Sequence, residues 1–278
     1  MSVEAAVKRL RIEPPHSWRM LDVSELWQYR ELLYFFVWRD IKVRYKQTVL
    51  GAMWAIIQPL STTFLFTIVF GWLGGMSKQV NGPYALYVFA GLLPWTFFSN
   101  AVSQAASSLV GSSHLISKVY FPRILVPIAS IASGLLDFVI SFVALLVLMA
   151  VYGVFPSWGF MMLPAFLLGT FAAAAGAGLL FAALTVTYRD FRYVITFVVQ
   201  LWLYATPVLY GLEMVPAAWR LPYAVNPMVG MISGFRTGVL GGSLSWAVVA
   251  MSVASAAALL AAGTSYFLQV ERRFADVI

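Results

Sequence analysis

Residues 38–60 read WRDIKVRYKQTVLGAMWAIIQPL. Arg39, Asp40, Lys42, Arg44 and Lys46 crowd together, and from Val49 onward the chain carries no charge until Lys78. Basic residues against a long apolar run mark a cytoplasmic membrane surface followed by membrane interior, because Lys and Arg are held on the inner side. The apolar run is long enough to cross a bilayer, whose hydrocarbon core takes about 20 helical residues.

The rest of the chain has the same character. Its 278 residues are 61% hydrophobic and only 10% charged, where a soluble domain has about a quarter. Too little polar surface remains to cover a core in water. A barrel would need alternating segments of about ten residues, and the runs here are longer and continuous. The fold class is therefore an all-α integral membrane protein. The net charge of +7 sits beside the apolar runs, which marks topology and argues against a nucleic-acid partner. With no cysteine, disulfide and thiol chemistry are excluded. The first residues hold Lys8, Arg9, Arg11, Arg19 and Pro14–Pro15 around no apolar core, unlike a cleavable secretion signal.

In order, residues 1–21 read as a polar tail and 22–48 as an amphipathic helix. Asp22 and Glu25 have capping-box spacing, and Leu21 with Leu26 has staple spacing. Trp27, Tyr34, Trp38, Ile41 and Tyr45 share one face at 100° per residue, apart from the basic residues. That pattern predicts a helix lying in the membrane interface; a helix packed on a soluble partner is the other reading. Residues 49–278 form the transmembrane domain, with six spans expected at 49–73, 83–110, 124–151, 159–188, 194–212 and 244–268. Pro59 should kink the first span, and Pro207 falls in the fifth. The run from Ser99 to Ser108 is rich in Ser, Asn and Gln, which should face neighbouring helices. Gly169/Ala173, Ala172/Gly176 and Ala174/Gly178 allow close helix approach.

Two segments break the pattern. Residues 111–123, GSSHLISKVYFPR, read as a short helix capped by Ser112 or Ser113 and ending near Phe121–Pro122. Residues 213–242 are too apolar for a solvated loop and too interrupted by Pro216, Pro222 and Pro227 for one span. A re-entrant helical hairpin between the fifth and sixth spans fits, with Asn226 as N-cap and Pro227 at the first helical position.

Placing both termini in the cytoplasm puts fifteen of the eighteen Lys and Arg residues inside and leaves Lys78, Arg220 and Arg236 opposite, as the positive-inside rule requires. Asp137 is the one acid well inside a span. A carboxylate there is expensive and must face protein or water; structural hydrogen bonding and a role in translocation both stay open. A proton relay is disfavoured, since no other intramembrane acid or His accompanies it.

Catalytic constellations are missing from the sequence. No GxxxxGK[ST] motif occurs, His16 and His114 are too far apart to suggest a metal site, and no carboxylates pair. This points to a conduit or scaffold rather than an enzyme, with no cofactor on the chain itself. Trp95, Phe97, Phe98, Trp202 and Tyr204 lie within spans. Their flat faces suit sugar rings, though packing against lipid explains them as well.

WRDIKVRYKQTVLGAMWAIIQPL, FAGLLPWTFFSNAV, HLISKVYFPRILVP, YRDFR and NPMVGMISGFR together resemble the permease subunit of type-2 ABC exporters, of the class that exports O-antigen, capsule and teichoic-acid polymers. The resemblance runs in order from about residue 24 to near the end. It implies a homodimer in the bacterial inner membrane, two copies of a separate ABC ATPase carrying Mg-ATP, and export of undecaprenyl-diphosphate-linked polysaccharide through a channel between the permeases. By position, it implies ATPase coupling through His114, Leu115, Ile116, Ser117, Lys118, Val119, Tyr120, Phe121 and Arg123. An interface helix and substrate entrance would use Trp38, Arg39, Asp40, Lys42 and Arg44 with Arg189, Asp190 and Arg192. The five span aromatics would line the channel, and Asn226, Pro227 and Arg236 would belong to outward gate helices. Asp137 matches no motif of the family. Two other readings remain at this point: an exporter of a drug or small lipid, and a membrane enzyme acting on lipid-linked sugars with Asp137 and Asp190 as its only acids.

Overall fold

Helix N-caps, prolines and glycines set where this chain turns, and every regular element among the described residues is helical. The computed structural model describes residues 27–46, 51–80, 82–116, 118–156, 158–188, 190–271 and 274. The polar tail, the Asp22–Glu25 box, the Leu21–Leu26 pair, Ser117, Arg189, Arg272 and Arg273 lie outside the described residues.

Helix α1 covers Arg30–Tyr45. After a short 3-10 turn, α2 runs Trp54–Phe66 and continues as a π-helix over Thr67–Leu73. Then come α3 (Tyr84–Gly111), the single turn α4 (Ser113–Ile116) and α5 (Leu125–Val151). Helix α6 is Leu163–Thr187, α7 is Phe191–Tyr204, α8 is Ala217–Tyr223, α9 is Pro227–Leu240 and α10 is Trp246–Val270.

Among the described residues, five helices are long and apolar enough to cross a membrane: Trp54–Leu73, Tyr84–Gly111, Leu125–Val151, Trp158–Thr187 and Trp246–Val270. The expected fifth span, 194–212, differs. Its helix stops at Tyr204 and is 14 residues long, about 21 Å at 1.5 Å per residue. Residues 205–211 are not helical, and Pro207 cannot donate the next backbone bond. The helical turn expected up to Phe121–Pro122 is also shorter, ending at Ile116.

Helix α3 is the hub, packed on α2, α5, α6, α7 and α9, while α10 packs on α6 and α9. The small residues of α6 act as the spacing suggests. A Cβ at Gly263 of α10 would run into the Gly176 carbonyl, so the two backbones meet almost directly. The serines of α3 behave otherwise than expected. Ser99, Ser103, Ser107 and Ser108 donate to carbonyls one turn back in their own helix, with Oγ–O distances of 2.7–3.3 Å. A short hydroxyl satisfies itself locally in hydrocarbon, and the cross-helix role falls to the longer Gln104.

Pro59 stays inside α2, which continues past it. Its missing N–H leaves the Ala55 carbonyl without the usual partner. Ser141 of α5 fills that position, donating to the Ala55 oxygen at 2.7 Å. One hydroxyl thus compensates the proline and fastens α2 to α5.

Candidate functional site

Helix α1 runs beside α5 in the same direction. Successive contacts show it: Phe36 against Phe121 with ring centroids 5.3 Å apart, Ser130 Oγ to Asp40 at 3.2 Å, then Arg44 to Ser133 Oγ at 3.2 Å and to Asp137. The face turned to the body is Tyr29, Leu32, Leu33, Phe36 and Val37. Of the predicted stripe of Trp27, Tyr34, Trp38, Ile41 and Tyr45, the first three are exposed, Ile41 is half-buried and Tyr45 turns into the bundle, with Lys42 Nζ 5.2 Å from the Trp38 ring and Arg39 paired to its neighbour Asp40 at 2.9 Å.

Arg44 leaves this surface and enters the bundle. It forms an ion pair with Asp137 and donates to Gln104 Oε1, while the Tyr45 hydroxyl donates to the other Asp137 oxygen. Gln104 lies seven residues from the end of α3 and Asp137 twelve from the start of α5, so the cluster sits roughly 10–18 Å in from those ends. The intramembrane acid is therefore held by a cation and a phenol. Burial, then the hydrogen bond to Asp137, pushes the Tyr45 phenol well above its ordinary value, which keeps it a donor. The cluster forms one wall of a cavity of about 600 Å³ between α1, α2, α3 and α5.

The segment 111–123 splits into a buried and an exposed face. Ile116 and Phe121 are buried, while Leu115, Lys118 and Val119 are exposed and Tyr120 is 86% exposed. Its end is fastened to the end of the chain. The Arg123 backbone N–H donates to Glu271 Oε1 at 2.8 Å and its guanidinium to the Glu271 carbonyl at 2.6 Å. Phe274 is fully buried against Phe267, ring centroids 5.3 Å apart. Asp190, in the turn into α7, and Arg192, in the first turn of α7, are both exposed. Among the described residues, no ion pair or hydrogen bond joins them to the basic residues of α1.

At the opposite end, the non-helical stretch 205–211 is tied down carbonyl by carbonyl. Asn226 caps α9 as expected, accepting from Met228 N at 3.1 Å behind Pro227. The same amide accepts from Trp202 Nε1 at 3.0 Å and donates to the Ala205 carbonyl and Thr206 Oγ1, each at 2.9 Å. Arg236, only 6% exposed, donates to the carbonyls of Pro207 at 2.7 Å, Tyr210 at 3.0 Å and Val208. It also donates to the Tyr87 carbonyl at 3.2 Å and hydroxyl at 3.1 Å, and lies over the Tyr87 ring at 3.9 Å. Tyr84 takes the Leu209 carbonyl at 3.0 Å. Irregular backbone inside an apolar bundle needs such partners. Gly91 makes room for them, because a Cβ there would strike the Arg236 guanidinium.

The five span aromatics divide. Trp95, Phe97 and Phe98 are buried within the chain, Phe98 edge-on to the half-buried Trp202 at 5.0 Å. Tyr204 is exposed. Sequence reading missed Tyr87, Glu271 and Phe274 as members of these clusters and put Tyr45 on the interface stripe, while Gln104 bonds across helices as its run was expected to. Asp137 and Asn226 carried a signal, since an acid in a span demands a partner and an Asn before Pro caps a helix.

The ABC-2 type transporter family model matches residues 31–240, which includes all three clusters except Phe267, Glu271 and Phe274. The O-antigen export system permease protein RfbA of Myxococcus xanthus is 33% identical over 263 residues, covering 92% of this chain and 98% of that one. A protein of the same designation from Klebsiella pneumoniae is 27% identical over 89% of this chain and 95% of its own length. The polysialic acid transport protein KpsM of Escherichia coli is 22% identical over 74% and 80%.

Proposed function

The chain belongs to the ABC-2 type transporter family as a membrane permease subunit, and on that premise we propose that it exports a lipid-linked polysaccharide of the O-antigen kind. The cargo is carried on undecaprenyl diphosphate and moves from the cytoplasmic to the outer side of the bacterial inner membrane. Two copies of the chain form the channel, and two copies of a separate ATPase bind Mg-ATP and drive it. The observation that carries this reading is the near-full-length match to an O-antigen export permease.

In this reading the exposed knob of Leu115, Val119 and Tyr120 meets the ATPase. Six passages with both termini inside place Lys78 outside, α7 with the stretch 205–211 making the fifth. Helices α8 and α9 make the re-entrant outward gate. The aromatic and basic face of α1 lies at the headgroup layer, where the lipid-linked sugar arrives.

Deleting the gene in its host tests the function. Surface polymer should disappear, full-length lipid-linked polymer should accumulate inside, and the intact gene should restore export. Surface polymer that persists in the deletion strain would overturn the reading and return a drug or small lipid as cargo. Labelling of a Lys78→Cys protein from the cytoplasmic side alone would refute the orientation.

A further inference from the structure

We propose that the cavity between α1, α2, α3 and α5 binds a neutral, hydroxyl-rich ring, one sugar unit of the exported polymer. Its about 600 Å³ falls in the range of roughly 300–1,000 Å³ common for small-molecule sites. Its polar groups decide the chemistry. Arg44 and Asp137 are the only charged residues among the described ones on its wall, and they neutralise each other. A diphosphate would find no unpaired cation there. What remains unpaired is neutral: among the described residues, the side chains of Gln58, Thr96 and Asn100 line the cavity and have no hydrogen-bond partner.

These groups lie on membrane-spanning helices, where an unpaired amide is expensive unless something polar reaches it. A carboxamide presents a donor and an acceptor together, which matches adjacent hydroxyls of a pyranose. Trp54, at the start of α2, adds a flat apolar wall, the complement of the ring's C–H face. Water alone would satisfy the amides but gains nothing from the indole. The inference rests on the polysaccharide reading for the identity of the ring.

The chain has no cysteine, so a single introduced thiol reports on the cavity. Ala55→Cys, with Leu93→Cys as a second reporter should the first fail to assemble, both on the cavity wall, is reacted with N-ethylmaleimide in inner-membrane vesicles holding the complete transporter. Vesicles come from cells that assemble the polymer and from cells blocked at the first sugar transfer. Polymer should slow labelling about five-fold, as for a site occupied about four-fifths of the time. Adding Gln58→Leu with Asn100→Leu should abolish that protection. Val139→Cys, on the exposed face of α5, should label equally in both vesicles. Equal rates at the cavity reporters with and without polymer, no reaction in either, or protection that survives the two leucines would each overturn the proposal. The deletion strain separates the two readings. If it loses surface polymer while the labelling rates do not differ, only the cavity assignment falls; if it keeps surface polymer, the polysaccharide reading falls.

Discussion

Replacing Arg236 with leucine should loosen the stretch 205–211 and with it the end of α7. The guanidinium satisfies the carbonyls of Pro207, Val208 and Tyr210 from one buried position. Leucine fills part of the volume but leaves all three acceptors unpaired, at about 1–3 kcal/mol each. These losses are not additive, and a cavity of about 710 Å³ borders Arg236, so water can reach some of them. A net loss of about 4 kcal/mol is expected, a large part of the roughly 5–15 kcal/mol that holds a typical fold together. At about 2–4 °C per kcal/mol for a chain of this size, the apparent melting temperature in detergent should fall by about 10 °C. Lysine keeps the charge and three donors but not the planar fork, and should fall between leucine and the parent. Tyr87→Phe keeps the ring beneath the guanidinium, loses one acceptor and should weaken the fold by about 1 kcal/mol. Gly91→Ala should displace the guanidinium without touching its charge. An Arg236→Leu protein that melts within about 2 °C of the parent and exports normally would refute this account.

Other perturbations test the remaining clusters. Asp137→Asn leaves Arg44 inside the bundle without its counter-charge. Breaking a fully buried pair costs about 3–5 kcal/mol; both side chains here are one-quarter exposed to the cavity, so about 1–3 kcal/mol is expected after solvent screening. Arg44→Gln combined with Asp137→Asn should recover part of the loss. Melting curves of the two single variants and the double variant measure the coupling, and additive effects would deny it. Ser141→Ala should destabilise by about 1 kcal/mol, because the Ala55 carbonyl loses the donor that stands in for Pro59; an unchanged melting temperature would count against that role. Glu271→Ala releases the end of the segment 111–123 and should lower export several-fold at normal membrane levels, as its proposed contact with the ATPase requires. Glu271→Gln retains an acceptor for the Arg123 N–H and should lose less. Equal export by both variants and the parent would show that the fastening is idle.

The stretch at 38–60 illustrates how far sequence reading reaches into the site. Asn226–Pro227 was legible because capping is local: the Asn accepts from a backbone N–H two residues on, and the proline needs no donor of its own. The small residues of α6 were legible because their spacing fixes their face. Arg44 was misread as one more surface cation. Its neighbours Arg39 and Lys42 do stay with Asp40 and Trp38 at the surface, and nothing in the local pattern singles out the residue that turns inward. Glu271 was invisible for the same reason, since its partner Arg123 is 148 residues away. The serines of α3 were misjudged because their hydroxyls are short enough to bond their own helix.

The sequence by itself determined the apolar solvent of this protein, the place of its five long apolar helices and the start of α9 at Asn226–Pro227. These follow from hydropathy, charge and backbone chemistry, which act over a few residues. Only the tertiary structure decided that Arg44 meets Asp137 across 93 positions, and that the fifth expected span gives way to non-helical backbone after Tyr204. It also decided which side chains take the carbonyls left open there. Those outcomes depend on α1 running beside α5 and on α9 being seated against α3 and α6. Such packing directions are set by the shapes of many distant side chains at once, and no local pattern encodes them.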